Sequence, residues 1–241
     1  MKNSSNYKRS HEGDSIEISI IIPAYNEERR VRDVMVDIIS LFSNLELIVV
    51  CDGIDNTANI VKEFMISYPQ VKLVEFNEKL GKGRGIMEGM KIARGDKIGF
   101  VDADESVHPN DVKKMFDALS AADGVIASRR LKDSRILIKQ PLKRGFASRV
   151  FNILVRLIFG LNFKDTQCGA KVFRKEAIKD VFSELKTKGF EFDVELLWRL
   201  KMKGYKVVEF PITWKHSEGS SFSLSNAPNM FFSLLKVRLW K

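Results

Sequence analysis

The chain has 241 residues, 44% of them hydrophobic, and 40 lysines and arginines against 31 acidic residues give a net charge of +9. That length suits one large α/β unit or two small ones with an ample core. Cys51 and Cys168 lie far apart with no CxxC or Cys/His spacing, which argues against a disulfide framework or a zinc site, and no apolar run approaches the roughly 18 residues of a membrane span.

The opening "MKNSSNYKRSHEGDS" is polar throughout and reads as a tail outside the fold over residues 1–14. "IEISIIIPAY" is a β-branched run closed near Pro23 and predicts a first strand. "VRDVMVDIISLF" sets Val31, Val34, Met35, Ile38, Ile39 and Phe42 at helical spacing. "LELIVVCDG" is a second strand, "DNTANIVKEFMISY" a helix capped by Asp55 or Asn56, and "VKLVEF" a third strand. A helix over Arg84 to Ala93, a strand over Lys97 to Asp102, a helix opening at Pro109 and the strand "GVIAS" complete this half. Such alternation predicts a mostly parallel sheet covered by helices, with ligands at the carboxyl ends of the strands.

After Ser128 the pattern changes to a basic loop, an apolar helix from Ala147 to Phe159, and the irregular "NFKDTQCGAKVF". "FDVELLWRLKMKG" predicts a helix ending at Gly204, "YKVVEFPITW" one strand, and "NAPNMFFSLLKVRLW" an amphipathic helix near residues 226–240 with Phe231, Leu234, Leu235, Arg238 and Leu239 near its apolar side. The two helices of this half combine large apolar side chains with arginine and lysine, a composition that suits either core packing or a membrane surface.

Charge is unevenly placed. Between Ser128 and Arg156 stand Arg129, Arg130, Lys132, Arg135, Lys139, Lys143, Arg144, Arg149 and Arg156, with Asp133 the lone acid. Such a patch meets phosphate, on a nucleic acid, a lipid or a small substrate, unless it is only a solvated face. Three polar clusters end successive strands: "PAYNEE", "CDGIDNT" and "DADES". In the last, Asp102 and Asp104 are one residue apart, and a divalent cation, a shared proton or solvation must relieve their repulsion. Between the second and third lies "NEKLGKGRGIMEG", whose glycines admit a close ligand and whose Lys82 and Arg84 carry positive charge. It matches neither Walker A nor GxGxxG spacing.

"PAYNEE", "CDGIDNTA", "GKGRGIMEGMKIARGD", "FVDADE", "DTQCGAKVFR" and "FDVELLWRLKMKGYKVVEFPITW" resemble, in order and spacing, the family 2 inverting glycosyltransferases that charge a polyprenyl phosphate, such as dolichyl-phosphate mannose synthases and glucosyltransferases. The resemblance implies an α/β GT-A fold over residues 15–219, with an amphipathic membrane-surface helix over 220–241. It implies a nucleotide-sugar donor, UDP-glucose or GDP-mannose, a polyprenyl or dolichyl phosphate acceptor, and Mg2+ or Mn2+. It places work at the cytoplasmic face of a membrane, as a peripheral protein. On the matching motifs, Pro23, Tyr25 and Glu27 would hold the base and ribose, Asp52 would contact the base, and Lys82 would face the donor. Asp104 would ligate the metal directly, with Asp102 shared between ribose and metal hydration. Arg129, Arg144 and Ser148 would hold the acceptor phosphate, a task suited to bidentate arginine.

Departures include Cys51 and Ile54 in "CDGIDNT", Glu105 and Ser106 in "DADES", and Ser221 and His216 in "WKHSEGSSFS". "DTQCG" and "FDVELL" lean toward the glucosyl type. A phosphate acceptor is already an anion and demands no general base, whereas a sugar hydroxyl would, with Asp165 or Asp193 as candidates. Asp193 and Glu195 read equally as a solvated helix face, and His108 and His216 as surface histidines. A polysaccharide or glycolipid synthase acting on a hydroxyl is the alternative reading. A nucleic-acid-binding module ranks last, because Phe146 is the only aromatic between Ser128 and Arg149.

Overall fold

The computed structural model describes residues 16–217 and 227–239. The expected tail over 1–14, the domain boundary near 219 and 220, Ser221 and Trp240 lie outside these residues. The first half follows the predicted alternation: β1 (Ile18–Ala24), α1 (Val31–Leu41), β2 (Leu45–Cys51), α2 (Thr57–Ser67), β3 (Val71–Glu75), α3 (Lys82–Ile92), β4 (Lys97–Phe100), α4 (Pro109–Ala118) and β5 (Gly124–Ser128). Then come β6 (Arg135–Ile138), α5 (Leu142–Phe159), β7 (Lys171–Arg174), α6 (Lys175–Phe182), α7 (Phe192–Met202), β8 (Val207–Pro211), β9 (Thr213–Lys215) and α8 (Ala227–Leu239).

A seven-stranded sheet runs β3-β2-β1-β4-β7-β5-β8, and β6 pairs with β9 in a separate two-stranded sheet. All strands of the larger sheet are parallel except β7, which runs antiparallel between β4 and β5. The continuous apolar runs of β1 and β2 are explained by burial on both faces. Ile20 and Ile22 point into one core layer with Val34, Met35 and Met115. Ile21 points into the other with Ile86, Ile178, Leu197 and Leu234. This is the two-residue alternation of a strand expressed in a fully covered sheet.

Register brings the functional loops together. Ala24 pairs with Cys51 and Ile21 with Phe100, so the ends of β1, β2 and β4 lie side by side. Because β7 is reversed, its first residue, Lys171, sits on that same edge opposite Phe100 and Ile126.

Several expectations need correction, among them the irregular "NFKDTQCGAKVF", whose end opens β7. The basic loop contains β6, and α5 begins at Leu142, since Pro141 opens the first turn and its carbonyl accepts from Gly145 N. "YKVVEFPITW" is two strands, because β8 stops at Pro211 and β9 pairs with β6 instead of continuing the main sheet. On α8 the buried stripe is Met230, Leu234 and Val237, while Leu239 is exposed. Asp193 and Glu195 are not on a solvated face; both are buried. Glu195 accepts from the backbone N–H groups of Lys186 and Thr187 and from the Thr187 hydroxyl. Among the described residues no helix is long and apolar enough to cross a membrane, and both cysteines are free and buried.

Candidate active site

The carboxyl edge of β1, β2 and β4 opens into a cavity of about 350 Å³ lined by Pro23, Tyr25, Glu27, Asp52, Lys79, Lys82, Asp102 and Asp104 among others. The expected donor-side residues are thus all gathered in one place. β4 ends at Phe100, so Asp102 and Asp104 stand on the turn that leaves the strand. Glu105 closes that turn with φ of 53° and points its carboxylate to Lys215 at 2.7 Å. Asp104 Oδ1 accepts from Ser106 N at 3.0 Å. Asp52 accepts from Leu80 N at 2.7 Å and Gly81 N at 3.2 Å, so it fixes the start of α3 besides lining the cavity. Gly81, at φ of 85°, is the left-handed residue that this tight entry requires. Lys79 Nζ lies 3.8 Å from the Tyr25 ring centroid.

Lys82, read from sequence as a cation facing the donor, is already committed to two carboxylates. Its ammonium lies 3.0 Å from Asp102 and 3.4 Å from Asp193. Asp193 in turn meets Lys171 at 2.6 Å, and Lys171, fully buried, also donates to the Cys168 carbonyl at 2.8 Å. Lys171, Asp193, Lys82 and Asp102 therefore form a chain of alternating charge running from the sheet into the site. Burial alone would depress the Lys82 pKa, yet Asp102 and Asp193 hold it above the ordinary lysine range. Burial pushes the Asp102 carboxyl up, with Asp104 adding to the rise and Lys82 opposing it. Glu27 is raised to about 6 by burial, against the pull of Arg30 and with Asp104 and Asp102 adding to it.

A second cavity, about 130 Å³, shares Lys82, Asp102 and Asp104 with the first and is lined further by Ser106, Arg129, Arg144, Ser148, Gln167, Asp193 and Trp214. The two cavities meet at the acidic pair. Arg129 is held by Asp165 through Nε at 2.6 Å and Nη2 at 2.8 Å, a bidentate fork. The pair is buried, and Arg129 holds the Asp165 carboxyl at about 2 despite that burial. Arg144 is lowered by burial and by Arg129. Ser148 Oγ accepts from Arg130 at 2.8 Å. The segment 165–169 forms one wall, and an added Cβ at Gly169 would lie 1.9 Å from Asp102 Oδ2, so only glycine lets the backbone rest against that carboxylate.

Sequence reasoning assigned no site role to Lys171, Gln167, Gly169 or Trp214, and weighed Asp193 only as a base or a solvated side chain. The signal for Asp193 was present, since helical spacing puts it on one face with Leu196, Leu197 and Leu200, an apolar stripe that turns to the core. His108 is a helix cap whose Nδ1 accepts from Asn110 N, and His216 lies beside Trp214. Of the two cap candidates for α2, Asn56 stands at the N-cap without a side-chain cap bond, and Asp55, one residue earlier, accepts from Thr57 N at 3.1 Å.

Among the described residues no three His, Cys, Asp or Glu side chains gather as a metal cage. Two carboxylates with a neighbouring serine hydroxyl fit a hard divalent cation whose remaining ligands come from phosphate and water.

Residues 19–182 match the family described as Glycosyl transferase family 2. The chain is 34% identical to the dolichyl-phosphate beta-glucosyltransferase of Saccharomyces cerevisiae, over 91% of this chain and 73% of that one. It is 29% identical to the enzyme of the same name from Homo sapiens, over 85% and 69%. Among solved structures it resembles glucosyl-3-phosphoglycerate synthase of Mycobacterium tuberculosis in complex with Mn2+, uridine-diphosphate and glucosyl-3-phosphoglycerate. There the TM-score is 0.65 at 19% identity, covering 92% of this chain and 78% of that one. The GT-A expectation for the fold is thereby met. With the matched segment spanning the strands whose ends line the first cavity and carrying Arg129, Arg144 and Ser148 of the second, the chain belongs to glycosyl transferase family 2 and is a glycosyltransferase.

Proposed function

We propose that the enzyme transfers glucose, with inversion, from UDP-glucose to a dolichyl or other polyprenyl phosphate at a membrane surface. The observation that carries this reading is the state of the two carboxylates that a hydroxyl acceptor would call on as a base. Asp165 has both oxygens taken by Arg129, and Asp193 is clamped between Lys82 and Lys171. Neither is disposed to take a proton from a hydroxyl, whereas Arg129 and Arg144 suit an anionic acceptor that needs no base. A nucleotide sugar with a glucosyl group, rather than GDP-mannose, is supported by the relatives' names.

In this reading Pro23, Tyr25, Glu27 and Asp52 bind the nucleoside, and Asp102 and Asp104 would hold Mg2+ or Mn2+. When bound, that cation stabilises the negative charge on the departing diphosphate. Arg129, Arg144 and Ser148 orient the acceptor phosphate, Ser148 being itself placed by Arg130. A phosphate oxygen forms the new bond to the anomeric carbon as the bond to UDP breaks, and no proton has to move.

For membrane contact the candidates on the two amphipathic helices are Phe151, Leu154, Ile158, Phe231, Phe232 and Trp240, and of these Leu154 and Phe232 are exposed. Phe151 and Ile158 pack toward the core. Leu142, Phe146, Ile153 and Leu157, one face of α5, are exposed beside Leu137 and Ile138 of β6. Lys139, Lys143, Arg149 and Arg156 flank this apolar face, the combination that lies at an anionic lipid surface.

The test uses dolichyl phosphate in anionic vesicles with labelled UDP-glucose or GDP-mannose. Label from UDP-glucose should enter lipid, stop with a chelator, and fall in Leu142→Ser/Phe146→Ser while transfer to a short soluble polyprenyl phosphate persists. Label entering lipid from GDP-mannose alone would overturn the donor assignment.

A further inference from the structure

Among the described residues, two buried side-chain polar atoms have no hydrogen-bond partner, Gln167 Nε2 and Arg199 Nε. Arg199 lies on α7 and lines neither cavity. Gln167 belongs to the wall of the second cavity, beside Asp102, Asp193 and Trp214. A buried donor without an acceptor costs stability in the ligand-free protein, and a ligand that brings an acceptor to it would remove that cost.

The neighbours on its own segment are all occupied by the fold. Asp165 holds Arg129, Thr166 bonds to Asn152 Oδ1 through both N and Oγ1, the Cys168 carbonyl accepts from Lys171, and Gly169 abuts Asp102. The backbone at Gln167 is therefore fixed on both sides, and its side chain is the group of this segment turned to the cavity. We infer that Gln167 is a specificity-determining residue that holds the hexose of the nucleotide-sugar donor through its carboxamide.

The cavity distinguishes the hexose from the acceptor phosphate as its partner. Phosphate is served by the guanidinium groups of Arg129 and Arg144, whereas a neutral carboxamide, which both donates and accepts, suits a pair of hydroxyls. At this end Asp102 and Asp193 are already paired with Lys82 and Lys171, which leaves the carboxamide as the uncommitted neutral group on this wall. Trp214 supplies an apolar ring of the kind that packs against a sugar face.

The inference rests on the donor reading above, and the experiment separates the two. Binding of UDP and of UDP-glucose, each with Mn2+, is measured by calorimetry for the wild type and Gln167→Met, together with thermal denaturation of the ligand-free proteins. Methionine keeps the length of the side chain and removes both hydrogen-bonding atoms. The expected result is about a tenfold loss of UDP-glucose affinity with UDP affinity held within about twofold. The ligand-free variant should melt at the wild-type temperature or above it, because an unsatisfied donor has gone. Unchanged UDP-glucose affinity in a folded variant overturns the inference alone, as does an equal loss for both ligands. So does a selective rise in the KM for dolichyl phosphate. Gln167→Leu repeats the comparison should the methionine variant fail to fold. A wild type that binds neither nucleotide overturns the donor reading and the inference with it.

Discussion

The two walls of the site are built in different ways. The donor wall comes from consecutive βα units, where strand ends in register deliver Tyr25, Glu27, Asp52 and Asp102 to one edge. The opposite wall, which carries the acceptor side, is assembled from distant pieces: Arg129 after β5 and Arg144 and Ser148 on α5 for the phosphate, with Gln167 before β7 and Trp214 on β9 beside them where the two substrates meet, and Met230 on α8. The first wall is held by backbone hydrogen bonds of the sheet, the second by ion pairs between segments. Perturbing a charge should therefore damage the acceptor side through structure and the donor side through chemistry.

The largest effect is expected at the joint between the walls. Asp193→Ala strands the fully buried Lys171 ammonium and leaves Lys82 with Asp102 alone, and should cost roughly 3–5 kcal/mol of folding stability by urea denaturation. A loss below about 1 kcal/mol would mean that the lysines find water or other partners. Asp104→Asn is the contrasting case. Its carbonyl can still accept from Ser106 N, so the melting temperature should hold while metal-dependent transfer falls by about a thousandfold, several kcal/mol of lost charge stabilisation. Near wild-type turnover with cation bound would remove Asp104 from the metal site.

Legibility in the sequence divided along the same line. β1, β2 and β4 and the motifs that end them are local signals, since period, turn residues and chemistry fall within ten residues of one another. β7 was missed because its pairing partners, β4 and β5, lie far away in sequence, and no local pattern specifies antiparallel insertion. β6 carries four exposed residues and so lacks the alternation that marks a half-buried strand. Lys82 was found as a site residue, but a glycine-rich stretch with lysine suggests phosphate contact and says nothing of Asp193, a hundred residues on, that neutralises it. The amphipathic helices were seen, yet which apolar residues face inward depends on neighbours that composition does not name.

Two smaller effects separate the walls further. Arg144→Ala should raise the KM for polyprenyl phosphate about tenfold to a hundredfold and leave UDP-glucose affinity nearly unchanged, the cost of one charge-assisted contact of about 1.5–3 kcal/mol, less where solvent screens it. Equal losses on both substrates would place this arginine on the diphosphate. Glu27 gives a pH signature on the donor side. Its folded pKa of about 6 stands above the usual 4.5, so the ionised carboxylate costs stability at neutral pH. That cost is fully present above about pH 6 and disappears as pH falls through 4.5. At most about 2 kcal/mol is involved. Glu27→Gln should lack this gain between pH 7 and 4.5 when unfolding is followed by urea titration, and an identical pH profile in both proteins would refute the assignment.

An anionic acceptor that requires no base is distinguished from a hydroxyl acceptor by offering the enzyme both. Wild-type enzyme, UDP-glucose and Mn2+ are supplied with dolichyl phosphate or with dolichol in the same vesicles, and glucosyl lipid is measured from pH 6 to 9. The account predicts product from the phosphate alone, with no rise in rate that tracks deprotonation of an enzyme base across that range. Comparable transfer to the hydroxyl of dolichol would contradict it and return Asp165 or Asp193 to the role of catalytic base.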